Sequence, residues 1–184
     1  MIEYDKINNN RYAILKIIIN FPGIRYNDLA RITKFNNGVL THSLKVLEKN
    51  NRIKVSRSSN GNTKRYFSPS VPNEDFQIIG YLKNNTSSKI ILFLHCNKDA
   101  ITFEEIKNYI QKSSSTTSWH LKKLLDDNII AKLEGRKKNY SYALKDPLLI
   151  DRVTKDPNNL CPDRVLSRSI SLVEIFSPNK LEVI

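Results

Sequence analysis

The chain has 184 residues, of which 40% are apolar and 26% are charged, a composition typical of a globular protein with a buried core. Lys and Arg number 30 against 18 Asp and Glu, and the resulting net charge of +12 makes nucleic acid the first partner to consider and an anionic membrane surface the second. No apolar stretch is long enough to span a membrane, and 2 cysteines are too few for a disulfide framework. The start MIEYDKINNN lacks the pattern of a secretory signal, so we expect a cytoplasmic protein with no membrane association.

An internal repeat runs through most of the chain. At an offset of 77 residues, the distance from Ile14 to Ile91, apolar positions coincide without a gap from Ala13 to Ile53. Apolar pairs in register include Leu15 with Leu92, Ile24 with Ile101, Tyr26 with Phe103, Leu44 with Leu121, Leu47 with Leu124 and Ile53 with Ile130. The repeat predicts two copies of one small domain at residues 1–72 and 86–155, joined by a linker helix at 73–85 and followed by a tail at 156–184.

Each copy begins with three predicted helices. The first helix covers 8–20 or 88–96, and in the second copy it follows a polar capping run of Thr86, Ser87 and Ser88. A short extended segment then leads to a helix at 26–33 or 103–111, where Asn27 and Asp28, or Thr102 with Glu104 and Glu105, favour a helix start. A polar turn precedes a third helix. The order is therefore helix, turn, helix.

A change of period after the third helix predicts a β-hairpin in each copy. Residues 53–55 and 66–68 flank the loop SRSSNGNTKR, and residues 131–133 and 140–143 flank EGRKKN. The first hairpin carries Arg57, Lys64 and Arg65, and the second carries Arg136, Lys137 and Lys138. Such tips can lie along phosphates or enter a minor groove. Asp146 and Pro147 then resemble the N-cap and first position of a further helix.

The third helix of each copy has one apolar and one polar face. The spacing of Thr117, Leu121 and Leu124 places these residues on one side, as it does Leu40, Leu44 and Leu47, so each trio is expected in the core. The other side carries groups that can bind base edges, thymine methyls or phosphates. These are Asn37, Val39, Thr41, His42 and Lys45 in the first copy, and Ser115, Thr116, Ser118, Trp119 and Lys122 in the second. The stretch SSSTTSWHLKK is therefore interpreted as a recognition helix whose hydroxyl-rich start leaves backbone N–H groups free to face an anion.

The run STTSWHLKKLLDDNII, followed by a basic hairpin, resembles the recognition helix and wing of winged helix-turn-helix transcription regulators of the ArsR and MarR type. Its residue pattern is similar to that of archaeal members. The first copy, NNGVLTHSLKVLEKNNRI, resembles the pattern more loosely, with Ser43 where the second copy has His120. The resemblance covers about residues 10–70 and 86–145. It implies a mainly α fold with small β-hairpin wings (α+β), in two tandem winged helix-turn-helix domains.

The same resemblance implies a transcription regulator that binds double-stranded DNA sequence-specifically. The recognition helices would lie in major grooves, and the wings on the backbone or in the minor groove. ArsR-type proteins also suggest metal sensing, and His95 and Cys96 lie together, but no C-x-x-C or H-x-x-x-H spacing is present. We therefore expect no metal site, no cofactor and a buried Cys96. No catalytic motif is found, so an enzyme is not expected.

Several alternatives remain open from the sequence. A winged-helix scaffold for protein assembly in the transcription or replication machinery would use the same fold with only non-specific DNA binding. Trp119 is expected to be partly exposed and His120 to make a structural hydrogen bond. The tail is either helix or strand, and it either completes the second domain or pairs with a second chain in a homodimer. An effector, if there is one, is unknown.

Overall fold

The computed structural model describes residues 2–57, 63–97, 99–134, 140–160 and 163, with side chains from residue 9 onward. Helices predominate and are accompanied by two small antiparallel sheets, which confirms the predicted α+β class. The described residues form two compact units, the first running through Gly80 and including Asp163, and the second comprising Tyr81–Leu160. No helix in the described part of the chain is long and apolar enough to cross a membrane.

The first unit contains four helices and a three-stranded sheet. Its elements are α1 (Ile2–Asn20), β1 (Ile24–Arg25), α2 (Tyr26–Thr33), α3 (Asn37–Lys49), β2 (Lys54–Arg57), β3 (Lys64–Phe67) and the start of α4 (Asp75–Leu82). The strand order is β1-β3-β2, with both pairs antiparallel. Gly23 connects α1 to β1 at φ +76°, and a Cβ there would lie 3.0 Å from Ile79 Cγ2, so both backbone conformation and space favour glycine.

The second unit repeats this order and adds one helix at its end. Its elements are α5 (Asn85–Cys96), β4 (Ile101–Thr102), α6 (Phe103–Ile110), α7 (Ser114–Asp126), β5 (Ile130–Glu134), β6 (Tyr140–Leu144), α8 (Pro147–Thr154) and α9 (Pro157–Leu160). The strand order is β4-β6-β5, again antiparallel. Asp146 caps α8 by accepting a hydrogen bond from the Leu149 N–H at 2.9 Å, and Pro147 is the first helical residue, as predicted.

The 77-residue repeat of the sequence is also a repeat of the backbone structure. Helices α2 and α6 have equivalent bounds at this spacing, and so do α3 and α7. Left-handed residues recur at the same interval, with Lys34 (φ 55°) and Gln111 (φ 53°) after the second helix of each unit. Asn51 (φ 54°) and Asn128 (φ 58°) follow the third helices. A left-handed residue is a common way to end a helix, so the repeat includes the helix stops as well as the apolar positions.

Two predicted helix starts have different outcomes. Thr102 forms a capping box with Glu105 at the start of α6, which confirms the expected helix opening. The capping run placed at Thr86, Ser87 and Ser88 is wrong, because α5 begins earlier. The Asn84 side chain accepts hydrogen bonds from the N–H groups of Thr86 and Ser87, each at 3.1 Å. Asparagine is among the strongest N-cap residues, so the helix starts at the preceding turn.

The apolar sides of α3 and α7 lie in the core of their units, as predicted. Leu40, Leu44 and Leu47 pack in the first unit with residues of α1, α2 and the sheet: Ile14, Ile17, Ile18, Ile24, Leu29, Ile32, Ile53 and Tyr66. In the second unit Thr117, Leu121 and Leu124 are buried. The Thr117 hydroxyl donates to the Ser113 carbonyl at 3.0 Å, so a hydrogen-bonding group is accommodated in the core without loss. Because one side of α3 and of α7 is buried in the core, the opposite side of each helix faces outward.

Candidate nucleic-acid interface

The outer side of α3 presents the residues that the sequence selected. Asn37, Thr41, His42 and Lys45 are exposed, and Val39 is half-buried. The helix starts at this surface because the Asn36 side chain accepts a hydrogen bond from the Val39 N–H at 2.8 Å. These side chains therefore project from one helix that is fixed at its start and buried along its opposite side.

The outer side of α7 presents the equivalent set in the second unit. Ser115, Ser118 and Lys122 are exposed, and Thr116 is half-buried. Ser113 caps the helix by accepting from the Thr116 N–H at 3.2 Å, and its hydroxyl lies 2.9 Å from Thr116 Oγ1 and 3.0 Å from Ser115 Oγ. The serine-rich start is therefore first a capping network, and the cap already uses one backbone N–H that the sequence interpretation left free for an anion.

The indole of Trp119 lies on this surface in a defined orientation. Its side chain is 59% exposed, as expected from its position on the helix. The ring packs edge-on against His120, with centroids 4.8 Å apart and planes at 88°, and Lys123 Nζ lies 5.4 Å from its centroid. An exposed aromatic ring held by two neighbours can contact a base edge, a thymine methyl or a sugar with little loss of conformational freedom.

His120 has the structural role that was predicted for it. The imidazole is buried, and its Nδ1 lies 2.9 Å from Ser87 Oγ on α5. Burial, and to a smaller extent the nearby charge of Lys123, lower the pKa of His120 below its ordinary value. A neutral imidazole therefore joins α5 to α7.

Acidification is expected to destabilise the second unit through this histidine. Because the folded-state pKa of His120 is lowered, the unfolded chain binds a proton first as the pH falls. The stability contributed by neutral His120 is present above the unfolded-state pKa of about 6.5 and is lost below it. Urea unfolding at a series of pH values between neutrality and mild acid measures this. His120→Gln should flatten the pH dependence, and an equal dependence in both proteins would contradict the assignment.

The basic residues of the first hairpin do not share one environment. Arg57 and Lys64 are opposite each other at the last described position of the β2–β3 ladder, next to the hairpin loop, and both are exposed. Arg65 is mostly buried, with its side chain 16% exposed, and its guanidinium donates to Asp163 at 3.0 and 3.2 Å and to the Gly23 carbonyl at 2.7 Å. Successive residues of a strand point to opposite faces, so Arg65 cannot lie beside Lys64.

Within the predicted tail, residues 156–184, Pro157–Leu160 form α9 in the second unit, whereas Asp163 packs in the first unit. Its carboxylate also lies 3.3 Å from Arg25 Nε, and Arg25 pairs with the buried Asp28 at 2.8 Å. The tail was expected to complete the second domain or to pair with a second chain. Residues 156–160 belong to the second unit, but Asp163 binds two arginines of the first unit. Residues 161–162 and 164–184 lie outside the described residues.

The second hairpin is described only near its base. Arg136, Lys137 and Lys138 lie outside the described residues. At the last described ladder position Glu134 pairs with Tyr140, and Lys132 Nζ lies 3.5 Å from the centroid of the Tyr140 ring. This lysine is therefore engaged in a cation–π contact.

A cleft between α3 and the β2–β3 hairpin, here called the first-unit cleft, contains a residue that the sequence analysis missed. The cleft is lined by polar residues that include Tyr26, Thr41, Lys45, Glu48, Arg57 and Lys64. The Tyr26 hydroxyl lies 3.1 Å from Thr41 Oγ1 and 3.3 Å from Asn37 Oδ1. Tyr26 aligns with Phe103 in the repeat, so it was counted as an apolar position and its hydroxyl was overlooked. The signal that could have revealed it is the hydroxyl itself, which Tyr26 has and the aligned Phe103 lacks.

Cys96 was expected to be buried and is exposed. It is the last residue of α5 and lies off the side formed by Ile90, Ile91 and Leu94, so the end of the helix leaves it at the surface. The neighbouring His95 Nε2 lies 3.0 Å from Asp151 Oδ1. Within the described ranges, no group of three or more His, Cys, Asp or Glu side chains is placed to hold a metal ion.

Comparison with known proteins gives one distant sequence relative. The chain is 29% identical over 132 residues to a protein of Methanocaldococcus jannaschii named an uncharacterized HTH-type transcriptional regulator, a match that covers 71% of this chain and 32% of the relative. The chain thus spans about a third of that protein. No family model matches. Among solved structures, a conserved hypothetical protein from Chlorobium tepidum shares 12% identity and covers 81% of this chain and 98% of its own, but the TM-score of 0.28 supports no conclusion about fold.

Proposed function

We propose that this chain is a transcription regulator that binds double-stranded DNA sequence-specifically, through two tandem winged helix-turn-helix domains of the ArsR and MarR type. The observation that carries the proposal is the equivalence of two surfaces. Each unit places an exposed polar helix side, α3 or α7, beside an antiparallel hairpin at the same position in the repeat. The name of the Methanocaldococcus jannaschii relative, an HTH-type transcriptional regulator, supports the same class.

The proposal assigns base contacts to the helices and backbone contacts to the hairpins. The residues assigned to base edges in two major-groove segments are Asn37, Val39, Thr41 and His42 on α3 and Ser115, Thr116, Ser118 and Trp119 on α7. Lys45 and Lys122 would bind phosphates, together with the hairpin residues Arg57, Lys64, Arg136, Lys137 and Lys138. Arg65 is assigned a supporting role instead, because Asp163 and the Gly23 carbonyl occupy its guanidinium.

One chain would then act as a pseudo-dimer on a site with two half-sites. The domains would be residues 1–72 and 86–155, joined by a linker helix at 73–85, and a homodimer would cover a longer site. A regulator of this kind needs no cofactor. We expect it in the cytoplasm, where it would meet its DNA site. Protein assembly is the competing function, and the exposure of Trp119 (59%) and Leu148 (77%) is the observation that favours it.

Substitutions on α7 separate base reading from phosphate binding. Thr116→Ala and Trp119→Ala are expected to relax the preference at particular base pairs by about 1–3 kcal/mol each. Lys122→Ala should weaken binding to all duplexes and reduce the slope of log affinity against log salt by about 0.9. Equilibrium binding to the preferred duplex, to single-base variants and to a scrambled duplex measures all three.

Matched controls use exposed residues outside the proposed interface. Tyr12→Ala removes another exposed aromatic, which is 61% exposed on α1, and Lys155→Ala removes an exposed cation beyond α8. If Trp119→Ala and Lys122→Ala behave like these controls, the recognition side is misplaced on α7. A stable complex with a protein partner, with only weak and sequence-blind DNA binding, would favour the assembly function.

A further inference from the structure

The two units carry different residues where the hairpin lies beside the third helix, α3 or α7. In the first unit, Lys45 from α3 and Arg57 and Lys64 from the hairpin line the first-unit cleft, with Glu48 as the acid among its lining residues. Three cations and one carboxylate leave a net charge of +2 if all are ionised. Among the described residues, Lys45, Arg57 and Lys64 form no ion pair with an acid. The cleft is therefore a concentrated positive site without an internal counterion for each cation.

Neutral donors complete the same cleft. The Tyr26 hydroxyl is held by Thr41 Oγ1 at 3.1 Å, so it lies beside the lysine-bearing side of α3. Tyr66 also lines the cleft, and burial, with a smaller effect of Glu48, raises the pKa of Tyr66 to about 12. The phenol therefore stays protonated at neutral pH. Cations together with hydroxyl donors suit a phosphate group, whose oxygens accept hydrogen bonds and carry negative charge.

The second unit keeps a lysine at the matching helix position, Lys122 for Lys45, but it lacks the groups that Tyr26, Arg57 and Lys64 contribute in the first unit. Phe103 replaces Tyr26 and brings no hydroxyl. The last described ladder pair, Arg57 with Lys64 in the first unit, becomes Glu134 with Tyr140 in the second. Lys132, two residues before Glu134 on β5, is engaged by the Tyr140 ring at 3.5 Å. An acid stands where the first unit has a guanidinium, so an anion would be disfavoured there.

We infer that Arg57 and Lys64, together with Lys45, make the first-unit cleft a binding site for a phosphate group of the DNA backbone, and that the matching hairpin position of the second unit, Glu134 with Tyr140, binds no phosphate. The inference rests on the proposed function. It gives the two units different roles, since only the first would bind a backbone phosphate between its hairpin and α3. The backbone is the expected source of the phosphate because Thr41 and Lys45 belong both to the cleft and to the exposed side of α3. A duplex docked on α3 would therefore bring a phosphate to the cleft without a separate binding event.

The test compares single substitutions in the full-length chain on one duplex over a range of salt concentrations. Arg57→Ala and Lys64→Ala should each weaken binding by roughly tenfold, the size of one charge-assisted hydrogen bond. Each should also lower the salt slope by about 0.9, equally on preferred and scrambled duplexes. Glu134→Arg should raise the slope by about 0.9, because it places a cation where the first unit has Arg57. Lys155→Ala is the control for loss of one exposed charge and should leave the slope unchanged.

The outcomes separate this inference from the function on which it rests. A wild-type chain without measurable affinity for any duplex overturns both. If the wild type binds but Arg57→Ala and Lys64→Ala match Lys155→Ala, the function stands and the phosphate site is overturned. An unchanged slope in Glu134→Arg would overturn the assignment of the difference between the units to this position.

A free phosphate is distinguished by a separate titration. Inorganic phosphate is added to the DNA-free protein, and thermal unfolding is followed in the wild type and in Arg57→Ala. The inference predicts no selective stabilisation of the wild type at millimolar phosphate, because the cleft is open and gains its ligand from a duplex already docked on α3. Selective stabilisation, together with an unchanged DNA salt slope in Arg57→Ala, would assign the cleft to a free phosphate compound and overturn the backbone as its source.

Discussion

Replacing Leu124 with alanine is expected to lower the free energy of unfolding of the second unit by about 2–5 kcal/mol. Leu124 is fully buried on the inner side of α7, where it packs in the core that holds this helix in place. Removing the Cγ methine and the two Cδ methyl carbons forfeits their burial and leaves a cavity, because the packed surroundings relax only in part. Urea unfolding followed by circular dichroism measures the loss.

The adjacent Leu125 provides a matched control. It is half-buried on the same helix, so Leu125→Ala removes the same atoms from a less enclosed site and should cost clearly less. DNA affinity should fall with stability in Leu124→Ala, since the outer side of α7 is presented only by a docked helix. Equal losses of stability in the two variants would mean that α7 is not oriented as described.

Reversing the charge of the two outer lysines is expected to remove most of the DNA affinity while leaving the fold intact. Lys45 and Lys122 are exposed at equivalent positions of α3 and α7. Lys45→Glu and Lys122→Glu should each cost roughly 1.5–3 kcal/mol, the range for hydrogen bonds to charged groups, with added repulsion from the backbone. Because the residues lie on different helices and share no partner, the effects should add in the double variant.

The control for the double reversal is Lys155→Glu combined with Lys89→Glu, which changes the net charge by the same amount elsewhere. Affinity is measured at fixed salt on preferred and scrambled duplexes, and circular dichroism checks the fold. Long-range attraction alone would lower the affinity of both double variants alike. Such a result would contradict direct phosphate contacts by these two lysines.

Much of the fold followed from patterns that are local in the sequence. The offset between the copies predicted equivalent helices, and it holds for the bounds of α2 and α6 and of α3 and α7. Apolar spacing placed Leu40 and Leu121 in their cores because residues three or four positions apart lie on the same side of a helix. Asp146 before Pro147 marked the start of α8 because a cap and a first-turn proline act within a few residues.

The features that the sequence did not reveal depend on contacts between distant residues. Arg65 looked like its neighbour Lys64, but the strand turns it to the other face, where Asp163 and the Gly23 carbonyl bind it. Tyr26 looked like an apolar core position, but its hydroxyl reaches Thr41 on the next helix. Cys96 was expected in the core as a small apolar residue, and the end of α5 leaves it exposed. Composition and spacing contain no information about these partners.

The proposed DNA contacts remain predictions for both units, and they differ in how directly the described structure supports them. On α3 and α7 the exposure of each side chain is described, so variants can be chosen by position. The second hairpin contributes Arg136, Lys137 and Lys138 as predictions from sequence alone, since they lie outside the described residues. Experiments on Arg57 and Lys64 therefore provide the better first test of a hairpin.

Selection from randomised duplex DNA with the purified full-length chain tests the central claim most directly. The enriched duplex and a scrambled duplex are then compared across a range of salt concentrations. For a sequence-specific regulator with two recognition helices, we expect an enriched motif with two half-sites and a preference of roughly a thousandfold or more over the scrambled duplex. No enriched motif, with only a steep salt dependence shared by all duplexes, would contradict it and would mean that the positive charge binds the backbone alone.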